Sequence, residues 1–344
     1  MKRPSASAFR SVRTGVEGAP AAESGTTARL PYPDGWFVVA FHDELPAGRV
    51  LTRRLAGEDV VLYRTRSGVV RAVRPFCPHL GAHLGHGGRV DGEDLVCPFH
   101  NFAFSTSGDC VRTGCGTPPP KARLVGRDVR EVDGAVLVWH HARGLAPDWE
   151  VPSSQPAGFR PAGHVVHTVS CHPQDIMENT IDSGHCPPVH QMNINISRTM
   201  FSGAAMEVDF STFPLEGRRT FFLTSLRARF YLQLHGLGWL FVYVDIPKLR
   251  SRIHFWILPT PVEPLHVELR LAVNISHACG VDLPRSASRL IGKLLVPLIS
   301  RDLAKDFPIW QHKTHVEHPK LTKGDGPFMQ YRRWAGQFYS ESLP

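Results

Sequence analysis

The chain has 344 residues, of which 42% are hydrophobic and 9% aromatic, an ordinary composition for a folded protein with room for two domains. Its 39 Lys and Arg against 31 Asp and Glu give a net charge of +8, yet no nucleic-acid-binding motif accompanies that charge, so nucleic acid is not expected as a partner. No apolar run reaches the roughly eighteen residues that a transmembrane helix needs, so no integral membrane segment is expected.

The chain opens with a segment, residues 1–30, that is rich in Ser, Ala, Gly, Thr and Arg. It has no apolar stretch of the kind that a secretory signal requires. We therefore expect a disordered tail over 1–30.

Seven cysteines are spread along the chain without the paired spacing of a disulfide framework. Free thiols are the expected state, and they favour a cytoplasmic location, because the cytoplasm keeps thiols reduced. Cys110 and Cys115 lie close enough in sequence for a local disulfide, which is the alternative.

Residues 31–145 are predicted to fold as a small antiparallel β domain. Glycines and aspartates separate short runs of β-branched and aromatic residues, which is the pattern of strands joined by tight turns. The predicted strands are Trp36–Phe41, Val60–Arg64, Val69–Val73, Asp94–Phe104 and Ala135–His140.

Two short Cys/His pairs stand in this domain, Cys77-Pro-His79 and Cys97-Pro-Phe-His100. Two thiolates and two imidazoles predict a metal centre, and they are the ligand set of a Rieske [2Fe–2S] cluster, in which two His replace two Cys on one iron. Zinc is the alternative, but zinc-finger spacing brings the two Cys together and the two His together. Here each pair mixes one Cys with one His, which suits a binuclear cluster better.

The residues around these pairs fit a cluster held by loops. A proline follows each Cys and fixes φ at that position. Gly85, Gly87 and Gly88 allow backbone N–H groups to approach the sulfurs closely. His83 and His86 lie in the same stretch but outside the ligand spacing, so we interpret them as loop residues.

Arginines concentrate in the first domain and have two interpretations. They either lie on solvated strand faces or form a basic docking face for an acidic electron donor. The residues are Arg49, Arg53, Arg54, Arg64, Arg66, Arg71 and Arg74.

A Pro- and Gly-rich stretch, residues 146–163, is predicted to link the first domain to a second domain over 164–344. The second domain mixes strand patterns with helical patterns near 174–186 and 286–307, so the fold class is predicted to be α+β with a central antiparallel sheet. Its predicted strands are His164–His172, 205–213, 218–234, 239–246, 251–258 and 266–276.

A second ligand pattern, Asn179-Thr-Ile-Asp182-Ser-Gly-His185-Cys-Pro-Pro-Val-His190, lies near the start of that domain. Asn179, Asp182 and His185 recur every three residues, which predicts one face of a helix, and the two prolines predict the end of that helix. His190 can then return beside His185. Two imidazoles need one carboxylate to complete the facial triad of a non-heme Fe(II) oxygenase.

A mostly apolar stripe with two carboxylates runs along the late helix. Its members follow a spacing of three to four residues and are Ile291, Leu295, Ile299, Asp302, Asp306 and Trp310. A carboxylate on such a stripe is costly unless it is paired or bound to a metal. Asp306 is the preferred third ligand. Asp302 is the alternative, and its simpler interpretation is an ion pair with Arg301 or Lys305.

These motifs resemble those of a known family. The segment from about Trp36 to His140 resembles the Rieske domain of the Rieske non-heme iron oxygenases, and Asp306-Phe-Pro-Ile-Trp310 resembles the stretch around that family's third iron ligand. The chain departs at one place, since the family commonly has Gly-Trp after the second cluster His and this chain has Asn101-Phe102. Phe102 keeps an aromatic lid there.

The resemblance implies a terminal oxygenase that uses O₂ and receives electrons from NAD(P)H through a ferredoxin reductase-type donor. The implied ligands are Cys77, His79, Cys97 and His100 for the cluster and His185, His190 and Asp306 for Fe(II). Asp182 occupies the family position that bridges to a cluster His of a neighbouring subunit, which implies a homotrimer. Asn179 matches a position near the iron.

Further stretches resemble steroid-acting members of the same superfamily. Val138–Trp149 and the ending with Ile309-Trp310 and Lys313 resemble the 3-ketosteroid 9α-hydroxylases and the cholesterol 7-desaturases. This implies hydroxylation, demethylation or desaturation of a small hydrophobic, polycyclic substrate, with a smaller aromatic or secondary metabolite as the alternative. Five aromatic residues either line an apolar pocket or belong to plain core, and they are Phe230, Trp239, Phe241, Phe255 and Trp256.

Two functions from other classes compete with this prediction. One is a Rieske electron-transfer protein with a catalytically idle second domain, although an idle domain has no reason to hold Asn179, Asp182, His185 and His190 in phase. The other is a zinc-stabilised interaction module, which would contain no acid-labile sulfide.

Overall fold

Neighbouring strands run antiparallel in all four sheets of the described chain. The computed structural model describes residues 30–155, 159–214, 227–322 and 325–340. Apart from residue 30, the predicted disordered tail lies outside the described residues. No helix in those ranges is both long enough and apolar enough to cross a membrane.

The N-terminal strands form three small sheets. They are β1 (Gly35–Phe41), β2 (Val50–Leu55), β3 (Glu58–Arg64), β4 (Val70–Val73), β5 (Arg89–Asp91), β6 (Asp94–Val96), β7 (Ala103–Phe104), β8 (Cys110–Arg112), β9 (Gly126–Arg127), β10 (Val129–Val132) and β11 (Ala135–His140). The sheet orders are β1-β11-β10, β2-β3-β4-β9 and β5-β6-β7-β8. The antiparallel β domain predicted from the sequence is therefore confirmed.

Four of the five strands predicted in this region are confirmed to within two residues, and the fifth is wrong. The predicted strand Asp94–Phe104 is interrupted, because the chain pairs only over β6 and β7. Between them the Cys97 N–H donates to the Phe102 carbonyl across 2.8 Å, so residues 97–102 form a tight turn.

The C-terminal strands form one large sheet that is covered by a few helices. The strands are β12 (Gly163–Val169), β13 (Met192–Ser202), β14 (Ala205–Pro214), β15 (Arg229–His235), β16 (Trp239–Ile246), β17 (Ser251–Glu263), β18 (His266–Ala278) and β19 (Val281–Asp282). The helices are α1 (Pro173–Glu178), α2 (Arg285–Leu303), α3 (Phe307–His312) and α4 (Phe328–Ala335). The sheet order is β12-β18-β17-β16-β15-β14-β13, with β19 paired to β18, which confirms the α+β prediction.

The predicted helices are both longer than the observed ones. The helix predicted over 174–186 ends at Glu178, where Asn179 caps it and the Thr180 hydroxyl donates to the Met177 carbonyl across 2.6 Å. Asp182 and His185 therefore do not share a helix face with Asn179, and that prediction was wrong.

The helix predicted over 286–307 is divided into α2 and α3. The chain turns after Leu303, and Asp306 stands at the N-cap of α3. Pro308 fits the first turn of α3, where its missing N–H costs no hydrogen bond. Of the strand predicted over 218–234, the part over 218–226 lies outside the described residues.

The two faces of the large sheet pack against different partners. Successive side chains of a strand alternate between faces, so Ala272 packs towards the N-terminal domain while Leu271 and Val273 pack towards Val296 of α2. The helix α4 packs on the same face as α2 through Tyr331, Trp334 and neighbouring side chains. The sheet thus separates the N-terminal domain from α2 and α4.

A β-bulge joins the N-terminal domain to the large sheet. The register of β1 against β11 shifts between Val38 and Ala40, which leaves backbone carbonyls of the bulge free to turn outward. The Thr260 hydroxyl donates to the Val38 carbonyl across 2.5 Å, and the buried Arg270 guanidinium donates to the Val39 carbonyl across 3.0 Å. Buried polar groups are thereby paired between the domains.

Aromatic side chains complete the interface between the domains. Trp239, Phe241 and Trp256 of the large sheet are buried against Trp36 and Trp139 of the N-terminal domain. These three residues are core, and the structure does not place them along a substrate pocket. Phe230 stacks on Phe210 with ring centroids 4.6 Å apart, and Phe255 is partly buried against the core clusters.

Candidate metal centres

The two Cys/His pairs lie in two loops that share one hydrogen-bond pattern. In the first loop the Cys77 N–H donates to the Ala82 carbonyl and the Gly81 N–H donates to the Cys77 carbonyl, both across 2.9 Å. In the second loop the Asn101 N–H likewise donates to the Cys97 carbonyl, across 3.2 Å. Each loop therefore turns back on its Cys in the same way, although His79 follows its Cys by two residues and His100 by three.

The same pattern explains the departure at Asn101. The residue four positions after each Cys has a positive φ, which is 74° at Gly81 and 54° at Asn101. Glycine adopts this left-handed conformation at no steric cost, and Asn is among the few other residues that tolerate it. Asn101 therefore replaces Gly without disturbing the loop.

The thiols of the two loops are buried and the imidazoles lie near the surface. Cys77 and Cys97 are 3% and 2% exposed, whereas His79 is exposed and His100 half-buried. The rings of His79 and His100 are 4.8 Å apart between centroids. Phe102 stacks on His79 at 4.3 Å with an 8° tilt, so the aromatic lid is present.

Burial, together with the neighbouring Cys97 thiol, raises the pKa of the Cys77 thiol to about 11. The buried Cys77 thiol is therefore a poor thiolate on its own. A bound cation reverses this preference, because metal coordination deprotonates a thiol. The donor set and its burial fit an iron–sulfur cluster, with the two imidazoles on its outer side.

The other cysteines and histidines of this region take structural roles. All seven cysteines are free thiols, so the alternative of a Cys110–Cys115 disulfide is wrong. His83 lies 3.4 Å from Asp59 and accepts from the Gly85 N–H across 3.1 Å, and its ring contacts His86. The interpretation of His83 and His86 as loop residues is consistent with these contacts.

Three of the seven arginines of the N-terminal domain have ion-pair partners within the chain. Arg53 pairs with Glu44, and Arg54 pairs with Asp59 and with Glu263 of the second domain. Arg64 is buried and pairs with Glu131. These three stabilise the fold. Arg49, Arg66, Arg71 and Arg74 have no ion pair among the described residues and are the ones left for a docking face.

A turn and a π-helical segment present the two histidines of the second motif. The Asp182 carboxylate accepts from the Gly184 and His185 N–H groups across 2.9 and 3.3 Å, which closes the turn. A π-helical turn over Cys186–His190 follows, so His185 precedes it and His190 ends it. The two prolines lie inside this turn. The rings of His185 and His190 are 5.2 Å apart between centroids.

Asp306 completes a group of three ligand atoms. One side-chain atom each from His185, His190 and Asp306 lies within 4.8 Å of the other two. The Asp306 carboxylate is 3.3 Å from His190 Nε2, and Asp306 is 3% exposed. Asp306 at the N-cap of α3 and His190 at the end of the π-helical turn thus lie side by side, although they are far apart in the sequence.

Each histidine also has a carboxylate at its Nδ1 atom. Asp182 lies 3.5 Å from His185 Nδ1, and Asp302 lies 3.2 Å from His190 Nδ1. Neither approach meets hydrogen-bond geometry, and Asp306 Oδ1 is also buried without a hydrogen-bond partner in the described chain. The unpartnered Asp306 oxygen beside the two rings fits a divalent cation, and the outer carboxylates stand where they can orient the rings.

The carboxylates also control the protonation of this pair. Burial lowers the pKa of both imidazoles, but Asp182 and Cys186 raise the pKa of His185 to about 10. Asp302 and Asp306 raise the pKa of His190 to about 9. Any cation that binds here must therefore displace protons from both histidines.

Asp302 is the residue whose role sequence reasoning missed. Its predicted ion pair with Lys305 is present at 2.5 Å, but Asp302 also contacts His190. The only signal was its place four residues before Asp306 on a mostly apolar stripe. Burial raises the pKa of Asp302, but the contacts with His190 and Lys305 lower it. The net shift of the Asp302 pKa is downward.

Asn179 and Glu178 lie beside the site and not in the ligand group. Asn179 caps α1, and its carbonyl accepts from the Asp182 N–H across 3.4 Å. Glu178 is buried and pairs with Arg332 across 2.7 Å and with Lys313 across 3.5 Å. These ion pairs hold α1 against α4 and against the end of α3. Lys313, which belongs to the stretch that resembles the steroid-acting enzymes, therefore makes a structural contact.

Two family models match the chain. Residues 35–125 match the Rieske [2Fe-2S] domain, and residues 138–339 match the 3-ketosteroid 9alpha-hydroxylase C-terminal domain. The second match spans more than half of the chain and contains the whole of the second ligand group.

Full-length relatives agree with these matches. A cholesterol 7-desaturase (nvd 1) of Ciona intestinalis is 30% identical over 342 residues, which cover 91% of this chain and 70% of that protein. The oxygenase component of a 3-ketosteroid-9-alpha-monooxygenase of Rhodococcus rhodochrous is 23% identical over 322 residues, which cover 89% and 83%. Dicamba monooxygenase bound to 3,6-dichlorosalicylic acid shares the fold, with a TM-score of 0.66, 20% identity and coverage of 89% and 97%.

Proposed function

We propose that this chain, which belongs to the Rieske oxygenase family with a 3-ketosteroid 9α-hydroxylase C-terminal domain, oxidises a hydrophobic, polycyclic, steroid-like substrate. The enzyme is a terminal oxygenase with a Rieske cluster and a mononuclear iron, and an electron-donating partner supplies it. The observation that carries the proposal is that His185, His190 and Asp306 meet in one group, in a chain whose N-terminal part holds the two Cys/His loops.

The residue roles follow from the donor sets. Cys77, His79, Cys97 and His100 hold the cluster, and His185, His190 and Asp306 hold the iron. When bound, the cluster supplies electrons singly and the iron supplies the position at which O₂ reacts. We assign 31–145 to the cluster domain, 146–163 to the linker and 164–344 to the iron domain.

The chain's own side chains prepare the iron site. Asp182 and Asp302 lie 3.5 and 3.2 Å from Nδ1 of the two histidines, where a small rotation of each ring would let them accept the remaining ring proton once Nε2 holds the metal. Burial of Asp306 and of both imidazoles limits water around the reacting position, which strengthens every electrostatic interaction there.

The substrate class rests on the C-terminal domain. Relatives that align along almost the whole chain are named for cholesterol and 3-ketosteroid substrates, and the alignment includes the iron-site segment. We therefore place a sterol or steroid first, with monooxygenation or desaturation ahead of dioxygenation. A smaller aromatic or secondary metabolite is the second candidate.

The cluster end of the molecule offers a docking surface. Phe76, Leu80 and Phe99 are 61%, 65% and 60% exposed, and they flank the His79 side of the two loops. We propose that this surface meets the iron site of a neighbouring copy in a homotrimer, with Asp182 bridging to a cluster His. Arg74 and the other unpaired arginines are then available to an acidic, ferredoxin reductase-type donor that carries electrons from NAD(P)H. Two cysteines assigned to the cluster and five outside any disulfide favour a cytoplasmic location.

Metal analysis of the anaerobically purified chain tests the function. About three iron and two acid-labile sulfide per chain, with a Rieske spectrum after reduction, are expected from one cluster and one mononuclear iron. Asp306→Asn should lower iron to about two per chain while leaving sulfide unchanged. Asp302→Asn is the matched control and should keep most of the third iron, since it removes only the outer partner of His190.

The competing functions predict different results. Two iron and two sulfide in the wild type, with a third iron that cannot be restored, would indicate a simple electron carrier. Zinc without sulfide would overturn the proposal. Loss of the third iron in Asp302→Asn but not in Asp306→Asn would indicate that Asp302, and not Asp306, is the third iron ligand.

A further inference from the structure

The helix α2 turns mostly small residues towards the sheet and exposes three of its five leucines. The residues that face the sheet are Ser288, Gly292, Val296 and Ser300. Leu290, Leu294 and Leu298 are 64%, 63% and 44% exposed. Each leucine lies two residues after a buried one, which places it about 200° around the helix and hence on the opposite side from the sheet.

The close packing beneath α2 explains why large side chains are absent there. A Cβ added to Gly292 would lie 2.4 Å from the Ala162 Cβ, and one added to Gly163 would lie 3.3 Å from the Lys293 Cα. The helix backbone therefore lies almost directly on β12 and β18. Leu290, Leu294 and Leu298 belong to no core cluster among the described residues, so the described packing does not account for them.

A row of cations runs beside the leucines. Arg285, Arg289, Lys293 and Arg301 are all exposed and follow each other at multiples of four residues. Within the described chain, the only carboxylate on α2 is Asp302, which already pairs with Lys305 and contacts His190. The outer face of α2 is thus apolar along one stripe, and the cations along the next stripe have no ion-pair partner in the part of the chain that the structure describes.

From this face we infer a docking site for an anionic lipid surface, with the three leucines inserted between the headgroups and the cations against them. A helix with a leucine face and flanking Lys and Arg lies in the membrane interface through apolar burial and attraction to anionic lipids. The face points away from the N-terminal domain, since α2 lies across the sheet from it. A membrane can therefore reach it without a change of fold.

A second copy of the chain fits this face less well. In a symmetric contact between two copies of this face, the two rows of cations would repel each other, and the net charge of +8 adds to that repulsion. Three leucines over about 12 Å of helix supply only a small part of the roughly 800 Å² per partner that a specific protein interface buries. A lipid surface needs neither a complementary shape nor a large area.

Co-sedimentation of the cluster-containing full chain with lipid vesicles tests the inference. The chain should bind vesicles of equal phosphatidylcholine and phosphatidylglycerol, and bind phosphatidylcholine vesicles much less. Leu290→Gln/Leu294→Gln should lower the partition coefficient about tenfold or more, because it removes the inserted apolar groups. Arg289→Gln/Lys293→Gln should lower it about fivefold per cation and flatten its dependence on salt.

Matched controls separate this face from the surface in general. Leu145 is 52% exposed and Arg143 is exposed in the loop after β11, so Leu145→Gln and Arg143→Gln make the same chemical changes elsewhere. Both should bind vesicles like the wild type, and cluster absorbance should show that every variant is folded. Failure of the wild type to bind anionic vesicles would overturn the inference, as would unchanged binding of the leucine variant. Dissociation of an oligomer by the leucine variant would assign the face to a second copy instead.

Discussion

Asp182 and Asp302 show how single residues prepare a site that they do not occupy. Each lies at the Nδ1 atom of one histidine, and the two carboxylates come from opposite ends of the domain sequence. The meeting of His185, His190 and Asp306 could be predicted from the sequence, because the two histidines stand close together in one motif and Asp306 lies on a mostly apolar stripe, where an unpaired carboxylate is costly. The role of Asp302 could not be predicted. An Asp three residues before a Lys looks the same in the sequence whether or not a histidine from a distant segment contacts it in the fold.

Buried His172 gives the stability of the fold a dependence on pH. Its Nε2–H donates to the Pro31 carbonyl across 3.0 Å and its Nδ1 accepts from the Gln174 N–H across 3.1 Å, which requires the neutral ring. Burial lowers the pKa of His172 to about 4. In the unfolded chain the ring protonates near its ordinary pKa of about 6.5, so this contribution to stability is complete above that pH and is lost as the pH falls towards 4.

Between pH 7 and pH 5, His172 should cost the wild type about 2 kcal/mol of unfolding free energy. His172→Gln should be less stable than the wild type at pH 7, because it loses these hydrogen bonds, but should lose about 2 kcal/mol less on going to pH 5. Urea unfolding at the two pH values measures this difference. His266→Gln, at an exposed position, is the control. Parallel losses in the wild type and His172→Gln would contradict the assignment.

At the scale of elements, the strands were predicted better than the helices. Strand patterns in the sequence carry the alternation of a half-buried sheet, and most predicted strands appear. The segment after α1 was predicted as helix because Asn179, Asp182 and His185 have a helical spacing. Hydrogen bonds from Gly184 and His185 to the Asp182 side chain override that spacing locally. The outward leucines of α2 could not be predicted, since periodicity marks an apolar stripe without saying which stripe faces the sheet.

The position of α2 should depend on Gly292. Gly292→Ala would normally stabilise a helix by up to about 1 kcal/mol, but here the new methyl meets Ala162 and must move α2 away from β12. We expect a net loss of about 1–3 kcal/mol and a lower content of mononuclear iron, because α2 carries Asp302 and leads to Asp306.

Gly336→Ala is the matched control for Gly292→Ala. Gly336 stands at the C-cap of α4 with φ −57°, and an added Cβ would meet nothing within 4 Å. Thermal unfolding and iron analysis of both variants provide the measurement. Equal effects of the two substitutions would show that close packing under α2 is not what positions the iron ligands.

At the scale of the whole molecule, the N-terminal strands pack against the large sheet through one shared core cluster. The α+β class and the order of the two motifs could be predicted from sequence patterns. The interface could not, because it depends on carbonyls that a bulge in β1 exposes and on Arg270, whose burial no local pattern indicates. Arg270 also pairs with Glu268 across 2.6 Å, so its charge is not left alone in the interface.

The proposed assembly gives Asp182 a second task, between subunits. Asp182→Asn keeps an oxygen that can accept from the Gly184 and His185 N–H groups, so the turn should persist. Cluster absorbance, iron content and the mass of the oligomer should stay unchanged while turnover of an accepted steroid falls about 100-fold or more. The rate at which O₂ re-oxidises a chemically reduced cluster should fall in parallel with turnover if Asp182 links the cluster to the iron of a neighbouring subunit. An unchanged re-oxidation rate would leave Asp182 only its role beside His185. Normal turnover by this variant would contradict the bridging role.

The domain interface also gives the protein an optical signal. Five of its seven tryptophans lie in or against that one layer, and they are Trp36, Trp139, Trp149, Trp239 and Trp256. Trp139 is 5.4 Å from Trp36 and 5.5 Å from Trp149 between ring centroids. Intrinsic fluorescence is therefore dominated by a single surface, and a red shift on heating or in urea reports the parting of the two domains without any added label.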